Sequence, residues 1–508
     1  MELIVIVLSF ALFMYAAVKL VRVSGNNNNN KSSSNVIPGP KKIPLIGNLH
    51  LLSGKSLPHH VFRELAVKHG GLMRLQLGEV PFIIVSSVEV AKQVFRTHDI
   101  TFSNRFPTVA SSILSYNYRD VAVAPYGYHW RQVRKVCTLE LFSSKRVKSF
   151  RPIREEENFN LAKSIAANSG SPVNISEKLY LNSFDIITRS SVGDKTEEKG
   201  KFTRAIEETM ELCSGLSLVD LFPSNRLLPL ITGIEFKFKS IFRLTDGILQ
   251  NIIERHRGGA VAQGRSEDLV DVLLKYQHTD AEFHLTDDDI KAVILDMFFA
   301  GSETSATAVG WAMSEMMRNP KILKRAQDEV RQVLDRKGSN SYVDEAEFGE
   351  LKYLKLVIDE TLRLHPPLPL LVPRMSSERC EIDGYEIPAK TRVIINAWAL
   401  GRDPKHWNDA DKFIPERFEN TSIDYKGNNF EYIPFGSGRR ICPGMSMGLI
   451  NVEFTLATLL YHFDWEMPFG IKNDALDMTE TIGVTAKRKH DLLLIPTLAR
   501  PLPTTFNH

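Results

Sequence analysis

Residues 434–444 read PFGSGRRICPG: Gly436 and Gly438, two arginines and a single cysteine, closed by Pro443 and Gly444. A thiolate is a soft ligand. One is enough for a metal already held by four equatorial nitrogens, whereas a structural zinc needs several protein ligands. The setting therefore points to haem. Gly436 and Gly438 let backbone approach a flat macrocycle, Phe435 lies against its ring, and Arg440 neutralises a propionate. The following CPGMSMGLINVEFTLATLLYHF reads as a helix with its amino end at Cys442, where free N–H groups and the helix dipole favour a thiolate. A buried structural cysteine beside a glycine turn is the competing reading, and it suits Cys137, Cys213 and Cys380 better. A cysteine nucleophile would want a histidine, and none is near Cys442 in sequence.

The rest of the chain is compatible with one large cofactor-binding body. It has 508 residues, 43% hydrophobic and 24% charged, enough for an extensive core. Its 63 basic and 60 acidic side chains leave a net charge of +3. That supplies no field for a nucleic acid, and no basic run interleaves with aromatics. The four cysteines form no CxxC pair, which argues against a zinc cluster and against a disulfide framework.

The amino end differs. Leu3 to Val18 carries no charge, and residues 1–21 approach the length of a transmembrane helix. Glu2 stands where a cleaved leader would be basic, so the segment reads as a retained anchor; Lys19, Arg22 and Lys31 behind it keep the body in the cytosol. Residues 22–37, including SGNNNNNKSSSN, form a flexible polar linker. The stretch VIPGPKKIPLIGN, residues 36–48, leads into the body, 38–508, and its Pro38, Pro40 and Pro44 stiffen the hinge.

Most of the body has helical periodicity, as in SVEVAKQVFRTH and PKILKRAQDEVRQVLDRK. Strand signals cluster at 72–85, with a turn near Gly78, and at CEIDGYEIPAKTRVIIN, turning at Asp383 and Gly384. The expected fold class is mainly α with small β-sheets. The longest helix begins at LTDDDI, where Thr286 and Asp289 have capping-box spacing, and runs to Asn319, before Pro320. Its middle, DMFFAGSETSATAVGWAM, places polar residues where core is expected. Gly301 weakens the helix, and Thr304 bonding back to Ala300 is expected to open its ladder and a pocket beside it. Glu303 and Thr304 are candidates to relay protons, with a chemically idle polar kink as the alternative. A second helix, ending before Pro366, carries Glu360 and Arg363 on one face, and Arg417 from FIPERFE can reach the same carboxylate.

Taken together, Phe435–Gly444, Ala300–Thr304, Glu360–Arg363, Pro415–Phe418 and the proline hinge resemble, in order, the cytochrome P450 monooxygenases over the whole chain. RRICPG, PERF and NAWALGRDP resemble the plant A-type enzymes; SLPHH and the stretch from Leu285 to Met317 resemble the terpenoid-oxidising branches of clan 71. The resemblance implies the cytochrome P450 fold behind a single anchor, with residues 38–508 as a haem-thiolate monooxygenase domain. Cys442 would be the axial ligand of haem b, and Trp130, Arg134, Arg374 and Arg440 would hold its propionates, beside Phe435 and Gly444. Thr304 and Glu303 would deliver protons during activation of O2, while Glu360, Arg363 and Arg417 lock the fold. No dinucleotide motif is present, so electrons would come from NADPH through NADPH-cytochrome P450 reductase, for which Arg131, Lys135, Lys145, Arg146 and Lys148 offer a basic face. The implied place is the endoplasmic reticulum membrane, as a monomer or a loose membrane oligomer. Phe299, Ala300, Leu368, Val372 and Ile482 are expected nearest a hydrophobic substrate such as a sesquiterpene or diterpene, with phenolic and indole compounds as alternatives. A thiolate-haem isomerase or dehydratase that needs no reductase is the runner-up, and a non-catalytic membrane haem protein a further reading.

Overall fold

The computed structural model describes residues 36–193, 199–213, 217–258, 267–277, 283–337, 343–481 and 483–503. The expected anchor at 1–21, nearly all of the linker and Ile482 fall outside these residues. Among the described residues, no helix is long and apolar enough to cross a membrane.

Helix α1 (Pro58–His69) precedes an antiparallel pair, β1 (Leu72–Leu77) and β2 (Val80–Val85), which turns at Gly78 as expected. Next come α2 (Tyr128–Val136), α3 (Arg151–Ala166), β3 (Val173–Asn174), α4 (Ile175–Val192), α5 (Lys199–Leu212), α6 (Ile234–Arg257) and α7 (Leu269–Lys275). The long helix α8 (Asp287–Arg318) is followed by α9 (Pro320–Leu334) and α10 (Lys352–Leu364). Strands β4 (Arg374–Met375), β5 (Cys380–Ile382), β6 (Tyr385–Ile387) and β7 (Arg392–Ile395) lead to α11 (Met445–His462), β8 (Phe463–Glu466) and β9 (Leu493–Leu498). The sheets are small: β1-β2-β7-β4, with β2 and β7 parallel; β3-β9-β8; and the hairpin β5-β6.

Helix α8 organises the molecule. Its capping box forms as expected, Thr286 Oγ1 accepting from the Asp289 N–H at 3.2 Å and Asp289 Oδ2 accepting from the Thr286 N–H at 2.7 Å. At 32 residues it is about 48 Å long. Ile290, Val293, Ile294 and Phe298 near its start pack into one apolar core with α2, α4, α6 and α7. Ala308, Ala312, Met313 and Met316 near its end pack into another, with α3, α9, α10 and α11. The helix is continuous through Gly301, so the expected opening of the ladder is absent. Gly301 has a different reason: a Cβ there would stand 2.5 Å from Ile187 Cδ1, so the glycine lets α4 and α8 pack closely.

Candidate active site

A cavity of about 270 Å³ opens between the two cores. From α8 it is lined by Met297, Ala300, Gly301, Thr304, Ser305 and Ala308, whose spacing of three and four places them on one helix face. The opposite wall is the loop before α11, with Phe435, Gly436, Cys442 and Gly444, followed by Met447 and Val452 of α11. Thr304 Oγ1 donates to Ala300 O at 2.5 Å, the expected back-bond, made here without breaking the helix.

Cys442 is half-buried and lines the cavity. Its own N–H donates to Phe435 O at 3.0 Å, which folds the loop back on itself. Burial pushes the thiol up, while the Gly444 N–H and the charge of Arg134 act to lower it. The other cysteines have no such position: Cys137 and Cys213 are pushed up to about 12 and Cys380 to about 11, in each case first by burial, and none of them lines the cavity. Helix α11 starts at Met445 with Gly444 as its N-cap, three residues later than expected. Pro443 supplies no N–H, so the turn uses the Gly444 N–H for the sulfur before the helix begins. Gly438 also departs from expectation. With φ +68°, it packs against Asp99 and Phe95, which a Cβ would strike, so it accommodates that loop and not a cofactor; Gly436 is the glycine that lines the cavity.

Four arginines converge on one side. Arg440 Nε donates to Ser103 O at 2.8 Å, with Nη1 and Nη2 on Val121 O and Ala124 O. Arg374 donates to Phe102 O and Ser437 O, and Arg134 to Ile441 O. The fourth, Arg105, was not anticipated; it donates to Ala122 O, Val372 O and Pro373 O at 3.1, 2.5 and 2.9 Å. All four line the cavity. Burial, then the repulsion of Arg374, holds Arg440 down at about 9. Burial followed by Arg374 and Arg440 holds Arg105 well below its ordinary value. The nearby acids offset this little: burial pushes Asp120 up to about 6, and burial followed by the charge of Asp120 raises Asp296 well above the usual carboxylate range. A wall of mutually repelling guanidinium groups, an apolar slot and one soft sulfur donor together fit a flat apolar macrocycle carrying two carboxylates. The sequence signal for Arg105 was slight, a lone arginine in FSNRFP.

Trp130 stands behind this wall. Its indole N–H donates to Val121 O at 3.0 Å and Arg440 lies 4.1 Å over its ring, so it supports Arg440 and does not itself line the cavity.

Glu303, adjacent to Thr304, points elsewhere. It is 8% exposed, its Oε1 lies 3.1 Å from Lys487 Nζ, and it does not line the cavity. Among the expected substrate residues, Ala300, Leu368 and Val372 line the cavity, whereas Phe299 packs against the core of α2, α4 and α6. Glu360, Arg363 and Arg417 do meet: Arg363 grips both carboxylate oxygens at 2.7 and 2.8 Å, and Arg417 Nε reaches Oε1 at 2.9 Å. Of the basic face, Arg131, Lys135, Lys145 and Lys148 are exposed, while Arg146 is paired with Glu267 at 2.6 Å.

Comparison with known proteins agrees with this geometry. The chain is 53% identical over 476 residues to desmethyl-deoxy-podophyllotoxin synthase of Sinopodophyllum hexandrum, covering 92% of this chain and 93% of the relative. It is 50% identical over 477 residues to premnaspirodiene oxygenase of Hyoscyamus muticus, covering 92% and 94%. A zebra fish cytochrome P450 solved with progesterone superposes with a TM-score of 0.75 at 23% identity, over 87% of this chain and 100% of that one, and so shares the fold. The cytochrome P450 profile matches residues 37–494, and the chain belongs to that family of haem-thiolate monooxygenases, among its plant members.

Proposed function

We propose that this monooxygenase inserts one oxygen atom from O2 into a hydrophobic small molecule, a terpenoid of sesquiterpene or diterpene size, with electrons from NADPH-cytochrome P450 reductase. The observation that carries the reading is that Cys442 and Thr304 line one cavity, whose lining is mainly apolar. Haem bound there would supply the activation of dioxygen. Cys442 would ligate its iron, and Arg105, Arg134, Arg374 and Arg440 would hold its carboxylates. Thr304 would offer its hydroxyl to the cavity from the α8 face, its oxygen accepting from an incoming proton donor while its own proton rests on Ala300 O. Ala300, Leu368 and Val372 would press an apolar substrate into place and exclude water. Premnaspirodiene oxygenase, with a diene in its name, is in keeping with such a substrate.

Residues 1–21 would anchor the protein in the endoplasmic reticulum membrane, with the body in the cytosol. The exposed Leu227, Leu230, Ile231 and Phe236 suit a surface lying against lipid. Arg131, Lys135, Lys145 and Lys148 would meet an acidic reductase.

The test is the dithionite-reduced, carbon-monoxide difference spectrum of the protein in microsomes, followed by terpene turnover with reductase and NADPH. A strongly red-shifted Soret band that is lost in Cys442→Ala is expected. A band retained by that variant would refute the ligand assignment, and turnover without NADPH would favour an isomerase.

A further inference from the structure

The cavity wall after α10 is formed by Pro367, Leu368, Leu371 and Val372, and Leu371 is held at a positive φ of 51°. Such a conformation persists only where its surroundings fix it. Two supports meet behind it. The first is His365, two residues before Pro367. Its ring stacks on Trp311 at 4.2 Å, its Nε2 lies 2.8 Å from Glu315, and its buried Nδ1 has no hydrogen-bond partner but faces Glu480 Oε1 at 3.7 Å. The second is the turn that begins at Glu480, where Glu480 bridges to Arg488 and the Thr481 N–H donates to Lys487 O. From this turn the Ala486 N–H donates to Pro367 O at 2.9 Å, and the Trp311 indole N–H donates to Ala486 O at 2.8 Å.

One carboxylate, that of Glu480, lies between the two supports. Glu480 Oε2 accepts from His59 Nε2 of α1 at 2.7 Å and lies 3.4 Å from His60 Nε2. Burial alone would raise the Glu480 carboxyl; the hydrogen bond of His59 and the close rings of His365 and His60 outweigh it and hold the group well below the usual carboxylate range. His59 is shifted down, because burial costs an imidazolium more than the carboxylate returns, so a neutral ring donates its proton. His59, His60 and Glu480 have the donor set of a metal site. The buried Arg402 guanidinium also feels the charge of Glu480, so positive charge is already near this carboxylate.

We propose that Glu480 is a positioning residue for substrate selection: it ties α1, the end of α10 and the strand bridge between Glu480 and Arg488 together, and thereby fixes the Pro367–Val372 wall without touching the substrate. The inference rests on the haem-binding reading of the cavity.

The test titrates the holoenzyme with two azoles that ligate haem iron, read by the Soret shift. Imidazole is too small to press on the wall; clotrimazole is bulky enough to do so. In Glu480→Gln, clotrimazole affinity should fall about fivefold or more while imidazole affinity changes by less than about twofold, with the carbon-monoxide band intact. Glu480→Asp should recover part of the loss, which general destabilisation would not predict. An unchanged ratio of the two affinities overturns the inference. If Glu480→Gln does not load haem, His60→Asn, which removes the longer contact, replaces it: a smaller shift of the ratio in the same direction is expected, and no shift overturns the inference. A wild-type protein that gives no Soret shift with either azole would instead refute the haem reading.

Discussion

At the scale of the residue, the cavity separates two neighbours that look equivalent in sequence. Thr304 lines the same cavity as Cys442, while Glu303, one position earlier on α8, is turned about 100° and meets Lys487. Thr304→Ala should keep the carbon-monoxide band but lower product formed per NADPH by about tenfold or more. Glu303→Gln, measured in the same coupling assay, should have the smaller effect, and equal coupling in both variants would remove Thr304 from proton delivery. Cys442, Arg440 and Phe435 were legible because all three lie within one short loop, where spacing is nearly geometry. Arg105 was not, since its meaning depends on Val372 and Pro373, which are distant in sequence.

At the scale of the element, the ends of α8 were readable because caps and prolines act locally: Thr286 with Asp289 starts the helix, and Pro320 lies just past its end. Its interior was misjudged. Sequence reasoning assigned Gly301 to a weakened ladder, whereas the close approach of Ile187 on α4 requires it. Gly301→Ala places a Cβ against that side chain, so despite the better helix propensity of alanine the holoenzyme should lose about 1–3 kcal/mol. A lowered thermal midpoint checks this, and an unchanged or raised one would show that α4 yields freely. The start of α11 was missed for a similar reason. Cys442 reads as a helix terminus until the Gly444 N–H is seen to serve the sulfur.

At the scale of the whole molecule, buried polar groups join distant parts of the chain. Glu360 holds Arg363 and Arg417 and also accepts from the Ile414 N–H at 2.7 Å. Glu360→Ala leaves two guanidinium groups without their carboxylate, at a cost of about 3–5 kcal/mol, and should abolish accumulation of haem-loaded protein. A normal carbon-monoxide band in that variant would contradict it. Acid sensitivity should follow from His462, which burial pushes down to about 4. The unfolded chain takes up this proton near its ordinary 6.5 and the fold does not, so stability falls as the pH drops from 6.5 toward 4, by up to about 3 kcal/mol. His462→Gln should flatten that part of a plot of melting temperature against pH. The mainly helical class, the compact loop that carries Cys442, the long helix with its Thr304, and the pairing of Glu360 with Arg363 can be read from the chain alone, because each is written in residues a few positions apart. Folding alone brings four arginines to one wall, sets Trp130 behind Arg440, turns Glu303 to Lys487 and gathers three histidines around Glu480. These depend on how segments hundreds of residues apart pack, and side-chain charge and burial have no fixed value until that packing exists.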